Sequence, residues 1–200
     1  MSKPSPKLLL FDLGGVVLPW VGPERLAASH NLKRSDVIAR FEASEIFNAY
    51  ECGHVDDDTF LRELDTMFDL KTDDVAKLWN SWVHPPFPGV IDAIKNLKPH
   101  YPLACLSNTN ALHWAHVNRL IDTTQLFHYA FASHLIGAAK PDRQSYQIVL
   151  DKIGVEASDI WFFEDTTVNV KAAREFGMTV HQIDRRLGVL QTLKDLGLLR

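Results

Sequence analysis

Lys7-Leu8-Leu9-Leu10-Phe11-Asp12-Leu13-Gly14-Gly15-Val16-Val17-Leu18 runs five apolar or long-stemmed residues straight into an aspartate and follows it with two glycines. An apolar run of this kind, ending in a sharp turn, is the pattern of a buried central strand. Asp12 then falls where strand meets loop. In an open parallel sheet the carboxyl ends of the strands form the crevice where ligands bind, so this is a position for chemistry. Aspartate also caps turns, and by itself the stretch leaves both roles open.

Three later stretches bear on that choice. Leu103-Ala104-Cys105-Leu106-Ser107-Asn108 is a second apolar run and ends in a hydroxyl. Ala139-Lys140-Pro141-Asp142 sets a lysine before a proline-started helix. Ile160-Trp161-Phe162-Phe163-Glu164-Asp165 ends in paired carboxylates, with Asn169 four residues on. Singly, Ser107 also reads as a helix N-cap and Lys140 as a surface lysine; the shared order is what counts. Asp12, Ser107, Lys140 and Glu164-Asp165, in that order, resemble the four motifs of the haloacid dehalogenase-like (HAD) hydrolases, most of which are phosphatases. The resemblance runs from residue 7 to about residue 184.

Two hundred residues, 46% of them hydrophobic with five Trp and eleven Phe, suit one substantial domain, or a domain with a modest insert, that buries a sizeable core. A formal charge of −4 and the lack of a Lys/Arg cluster argue against nucleic acid or an anionic membrane as the main partner. No apolar run has the length of a membrane span, and Met-Ser-Lys-Pro-Ser-Pro at the start lacks the apolar core of a secretory signal. A cytoplasmic location is expected. Cys52, in a turn, and Cys105, inside a predicted strand, are expected as free thiols, Cys105 as a small buried hydrophobe.

Pro19-Trp20-Val21-Gly22-Pro23 is a breaker-rich exit from the first strand. From there to about Phe87 the spacing predicts helices only: Glu24 to His30, Arg34 to Phe41, Ala43 to Tyr50, Asp57 to Phe68 and Thr72 to Val83, with Asp56 and Thr72 as N-caps. His84-Pro85-Pro86-Phe87-Pro88-Gly89 brings the chain back as a stiff, extended linker. A small all-helical cap over residues 19–86 is therefore expected, inserted after the first strand of a core made of 1–18 and 87–200. Beyond the linker, helices predicted at Val90 to Lys98, Ala111 to Ile121, Arg143 to Ile153 and Val168 to Glu175 alternate with strands at Pro102 to Leu106, Tyr129 to Ser133, Ile160 to Glu164 and Thr179 to Ile183. That alternation implies an α/β, Rossmann-like parallel sheet covered on both faces. Gly154 and Gly177 fall where helices should end. The HAD resemblance implies that the first of the five strands lies in the middle.

A carboxylate at a strand end can attack phosphorus and form an aspartyl-phosphate, which divides a slow hydrolysis into two easier displacements. Asp12 is the candidate nucleophile. Two anions meet only with the help of a cation, and hard oxygen ligands favour Mg²⁺. Glu164 and Asp165 are candidate metal ligands beside one oxygen of Asp12; the resemblance adds the backbone carbonyl of Gly14. Ser107 and Lys140 would bind the phosphoryl oxygens that do not react, the lysine neutralising charge that develops in transfer. Asn108 and Asn169 would support them by hydrogen bonding.

One position departs from the HAD pattern. The acid that usually stands two residues after the nucleophile, to protonate the leaving oxygen and then activate water, is replaced by Gly14. Some sugar-phosphate phosphatases of the superfamily, resembling the bacterial glucose-1-phosphate phosphatase, carry Phe-Asp-Leu-Gly at this place and share the Leu-Ser-Asn-Thr-Asn of residues 106–110. The chain resembles that branch most. The expected function is a Mg²⁺-dependent phosphatase of a small phosphorylated metabolite such as a sugar phosphate. A non-hydrolytic protein binding a phosphorylated ligand or a partner, and a dehalogenase or phosphonate hydrolase, are the alternatives. A two-component receiver domain would carry its acid pair near the first strand, not the fourth. Trp20, at the exit from the first strand, and Glu51, Gly53 and His54, in a polar turn between cap helices, are expected to face the phosphate site and read the leaving group.

Overall fold

The computed structural model describes residues 5–199; the first four residues, on which the absence of a secretory signal partly rests, and Arg200 lie outside the described residues. Five strands, β1 (Leu8–Phe11), β2 (Leu103–Ser107), β3 (Tyr129–Ala132), β4 (Ile160–Glu164) and β5 (Thr179–Gln182), form one sheet in the order β3-β2-β1-β4-β5. Every neighbouring pair is parallel. The first strand in the chain is thus the central one, as the resemblance implied.

Side chains of a strand alternate between faces, and β1 buries both sets. Leu9 and Phe11 join Phe163, Val90, Ile94 and Leu97 in one apolar cluster, while Leu8 and Leu10 join Phe162, Tyr146, Val149 and Val170 in another. All four residues of β1 are fully buried. Helices α1 (Gly22–His30), α2 (Arg34–Ala43), α3 (Glu45–Glu51), α4 (Asp57–Phe68) and α5 (Val75–Asn80) follow β1 and form the cap. The core helices are α6 (Val90–Leu97), α7 (Ala111–Leu120), α8 (Thr123–Leu126), α9 (Ser133–Ile136), α10 (Arg143–Ile153), α11 (Thr167–Phe176) and α12 (Gly188–Asp195). Gly154 and Gly177 end α10 and α11 in the left-handed conformation, as placed from sequence.

The cap has its own apolar centre, in which Phe41, Phe47, Phe60, Phe68, Trp79 and Trp82 pack together. Asp56 caps α4 by accepting from the Thr59 N–H at 2.7 Å. Thr72 does not cap the last cap helix. That helix starts at Val75, and Asp74 caps it through the Lys77 N–H at 2.8 Å, its carboxylate standing directly before the apolar run. The linkers to and from the cap run side by side. Trp20 and Val83 form an antiparallel bridge, the Val21 N–H donates to the Trp82 carbonyl at 2.9 Å, and the His84 N–H donates to the Pro19 carbonyl at 3.0 Å.

A second contact joins cap to core. The Trp79 indole stacks on the His113 ring with centroids 4.3 Å apart and planes 4° from parallel. His113 Nε2 lies 3.0 Å from the Trp79 carbonyl, which can only accept, so this nitrogen carries the proton. Both rings are buried.

Candidate active site

Three strand ends and one loop converge. Asp12 follows β1, Ser107 ends β2, Glu164 ends β4 with Asp165 next to it, and Lys140 reaches in from the loop between α9 and α10. The Lys140 ammonium donates to Asp12 Oδ1 at 2.8 Å and to Glu164 Oε2 at 2.7 Å, and its side chain is 1% exposed. The other oxygen of Glu164 accepts from the Thr166 N–H at 2.9 Å. Asp165 pairs with Arg185 through its buried carboxylate. One oxygen each of Asp12, Glu164 and Asp165 lie within 4.8 Å of one another.

Burial is the first cause that raises the pKa of Asp12 above the usual carboxylate range; Lys140 pulls the other way, and Glu164 and Asp165 add repulsion. Burial also works against the Lys140 charge, but Asp12 and Glu164 outweigh it and hold the lysine protonated. Three carboxylates therefore meet one buried ammonium, with Arg185 at the margin. Hard oxygen donors carrying excess negative charge are a donor set for a small divalent cation.

A cavity of about 630 Å³ opens between the strand ends and the cap. Asp12, Gly14, Ser107, Asn108, Lys140 and Asn169 form its floor, while Trp20, Ile38, Phe41, Phe47, Glu51 and Trp79 contribute from the cap side. Trp20 lines this cavity, and its buried indole N–H has no partner among the described residues. Glu51 is the last residue of α3, not part of the turn, and its side chain faces the cavity.

Asn108 lines the cavity and bonds the main chain of Lys140, donating to that carbonyl at 2.7 Å and accepting from that N–H at 2.8 Å, so it positions the lysine. One expected contact is corrected: His54 is exposed and outside the cavity wall. The chain turns through Cys52 and Gly53, where Gly53 adopts φ +74° beneath the His134 carbonyl, and this carries His54 away from the site. Both cysteines are free, and burial pushes the Cys105 thiol up to about 12.

Phe41, Phe47, Trp79, His113 and Arg185 also line the cavity and were not singled out from sequence. Aromatic residues at helical spacing signal only a core, and Arg185 lies beyond every motif.

The family model "haloacid dehalogenase-like hydrolase" matches residues 6–177. A drimenol cyclase of Aspergillus calidoustus is 27% identical over 86% of this chain and 33% of its own length. A phosphatase of Mycobacterium tuberculosis is 40% identical over 33% of this chain and 32% of its own length. The chain spans about a third of those two relatives. A sesquiterpene phosphatase of Aspergillus oryzae is 25% identical over 95% of this chain and 96% of its own. Among solved structures, a HAD family enzyme of Bacteroides thetaiotaomicron in complex with magnesium and inorganic phosphate has a TM-score of 0.76 at 23% identity, over 90% of this chain and 96% of that one. L-2-haloacid dehalogenase of Xanthobacter autotrophicus follows the same fold with a TM-score of 0.64 at 19% identity, over 89% and 77% of the two chains. The match over most of the chain, on a sheet whose strand ends gather the four motifs, makes this protein a member of the haloacid dehalogenase-like hydrolases.

Proposed function

We propose that the chain is a Mg²⁺-dependent phosphatase that cleaves a small phosphate monoester through an aspartyl-phosphate on Asp12, and that the alcohol it releases is largely apolar. The observation that carries the proposal is Asp12 itself, at the head of the central strand, 2.8 Å from a buried ammonium and grouped with two further carboxylates. Asp12, Glu164 and Asp165, with the carbonyl of Gly14, are the residues to hold Mg²⁺, which when bound would offset the repulsion between the phosphate and Asp12. Asp12 attacks phosphorus. Lys140 and the Ser107 hydroxyl bind the oxygens that do not react. Glu164 also holds Lys140 in place through Oε2. Support for phosphate ester chemistry comes from the two relatives named phosphatases, and support for Mg²⁺ from the Bacteroides enzyme.

The organic part of the substrate meets Trp20, Ile38, Phe41, Phe47, Trp79 and Val83. Such a wall favours an apolar alcohol through the area it removes from water. The name of the fungal sesquiterpene phosphatase points the same way. A sugar phosphate is the second substrate class, favoured by Arg34, Asn48 and Glu51 in the same cavity and by aromatic faces that suit a sugar ring. Residues 19–86 act as a cap domain over a core of 1–18 and 87–200. A small-molecule partner, without nucleic acid or membrane, and a cytoplasmic location belong to the same proposal; no helix among the described residues is long and apolar enough to cross a membrane.

The test is phosphate release from a terpenyl monophosphate, sugar 1- and 6-phosphates, a nucleotide and an aryl phosphate, with Mg²⁺ and with excess EDTA. Release is expected only with Mg²⁺, and faster from the terpenyl ester than from the sugars. Full activity in EDTA would remove the metal, and a sugar phosphate turned over faster would reverse the substrate class.

A further inference from the structure

Transfer of the phosphoryl group to Asp12 expels an alkoxide, and the position from which HAD phosphatases usually protonate it holds Gly14. The backbone does not demand glycine there. Gly14 is not in the left-handed region, and a Cβ at this position would meet only Trp20 Cβ at 3.9 Å, an ordinary contact. The proton must come from elsewhere in the cavity.

Few groups in the wall can give it. Asp12 is the nucleophile, and Asp165 is tied to Arg185 within the acidic cluster. His113 has its protonated nitrogen committed to the Trp79 carbonyl. Glu42 is exposed at the rim. Glu51 remains: a half-buried carboxyl facing the cavity, with no hydrogen bond or ion pair among the described residues and with Lys140 as the charge that acts on it.

Its placement is built, not incidental. Ser44 caps α3 by accepting from the Phe47 N–H at 3.1 Å, and α3 packs on α9 of the core. Just past Glu51 the chain turns at Gly53 in the space beneath the His134 carbonyl, where a side chain would not fit.

We propose that Glu51, delivered by the cap, is the proton donor to the leaving oxygen and then the base for the water that follows. The proposal rests on the phosphatase assignment above. In the first step Asp12 Oδ bonds to phosphorus, the ester P–O bond breaks, and the Glu51 proton goes to the departing oxygen, giving the free alcohol and a Glu51 carboxylate. In the second, water attacks phosphorus and gives a proton to Glu51, and the Asp12–phosphorus bond breaks, which restores both carboxyl groups and releases phosphate. Burial lifts Glu51 to about 7, against the opposing pull of Lys140, so both protonation states are available near neutrality.

The experiment compares Glu51→Gln with wild type on an alkyl phosphate and on an aryl phosphate whose phenolate leaves without a proton, both with Mg²⁺. For the alkyl ester kcat/KM should fall by about 10² to 10⁴, the usual worth of a general acid. For the aryl ester kcat/KM should stay within about tenfold, well under that worth. The variant should also show a burst of phenolate before slow turnover, since the second step has lost its base. Glu51→Gln with Gly14→Asp should regain alkyl ester hydrolysis. An equal fall for both esters, or no fall for either, would overturn the role of Glu51 while leaving phosphatase chemistry standing. A folded wild type that releases phosphate from neither ester would overturn the phosphatase assignment, and the role of Glu51 with it.

Discussion

Without the Lys140 ammonium, Asp12 and Glu164 would face each other in the interior with no counter-charge. Removing one partner of a buried ion pair costs about 3–5 kcal/mol, because the charge left behind is neither solvated nor paired. Lys140→Ala should therefore do more than slow phosphate release. Its melting temperature, read by calorimetry without metal, should drop by about ten degrees, at the 2–4 °C per kcal/mol usual for a chain of this size. A variant as stable as wild type would show that the pair is not a net support of the fold. Asp12, Lys140 and the acid pair were readable because each follows a strand or opens a helix in a fixed order. The exact partner of Asn108 was not: a short amide after a strand looks the same in sequence whichever main chain it bonds, here that of Lys140.

The α3 turn and the Trp79–His113 stack tie the cap to the core at separate points. Gly53→Ala would put a methyl against the His134 carbonyl in a conformation that L residues rarely adopt. A loss of about 1–3 kcal/mol, the cost of such strain, should appear in urea denaturation. Alkyl ester hydrolysis should fall with it as Glu51 shifts. An unchanged denaturation midpoint would show that the turn has slack. For the stack, burial lowers the pKa of His113 to about 4, so the folded chain keeps this ring neutral where an unfolded chain, near 6.5, takes up a proton. The unfolded state then binds more protons between those values. Stability from this group is complete above pH 6.5 and drains as the pH falls towards 4, at up to about 1.4 kcal/mol per pH unit. His113→Gln should flatten that part of the stability profile, measured from pH 7 down to 4.5; an unchanged slope would place the proton uptake elsewhere. Four of the five cap helices were readable near their true ends from apolar spacing. The single-turn helices α8 and α9 offer too few residues for a period, and the Thr72 start failed because Asp74 lies nearer the apolar run and competes for the same N–H groups.

Taken whole, the molecule sets the carboxyl ends of its central strands, which carry charge, against a cap that carries aromatic rings, with paired linkers at Trp20 and Val83 between them. Alternation implied a parallel sheet and the HAD resemblance put the first strand in its middle, whereas the meeting of Trp79 with His113, across 34 positions of sequence, was set by packing that no local pattern encodes. Whether this body is a phosphatase with a covalent step is decided at Asp12. The direct measurement is mass spectrometry of the protein quenched in acid during turnover of a phosphate monoester. A phosphoryl group should be found on the peptide that contains Asp12 when Mg²⁺ is present, and it should be missing with EDTA and in Asp12→Asn, which should release no phosphate. Steady phosphate release with Asp12 unmodified, or with most activity kept by Asp12→Asn, would contradict it.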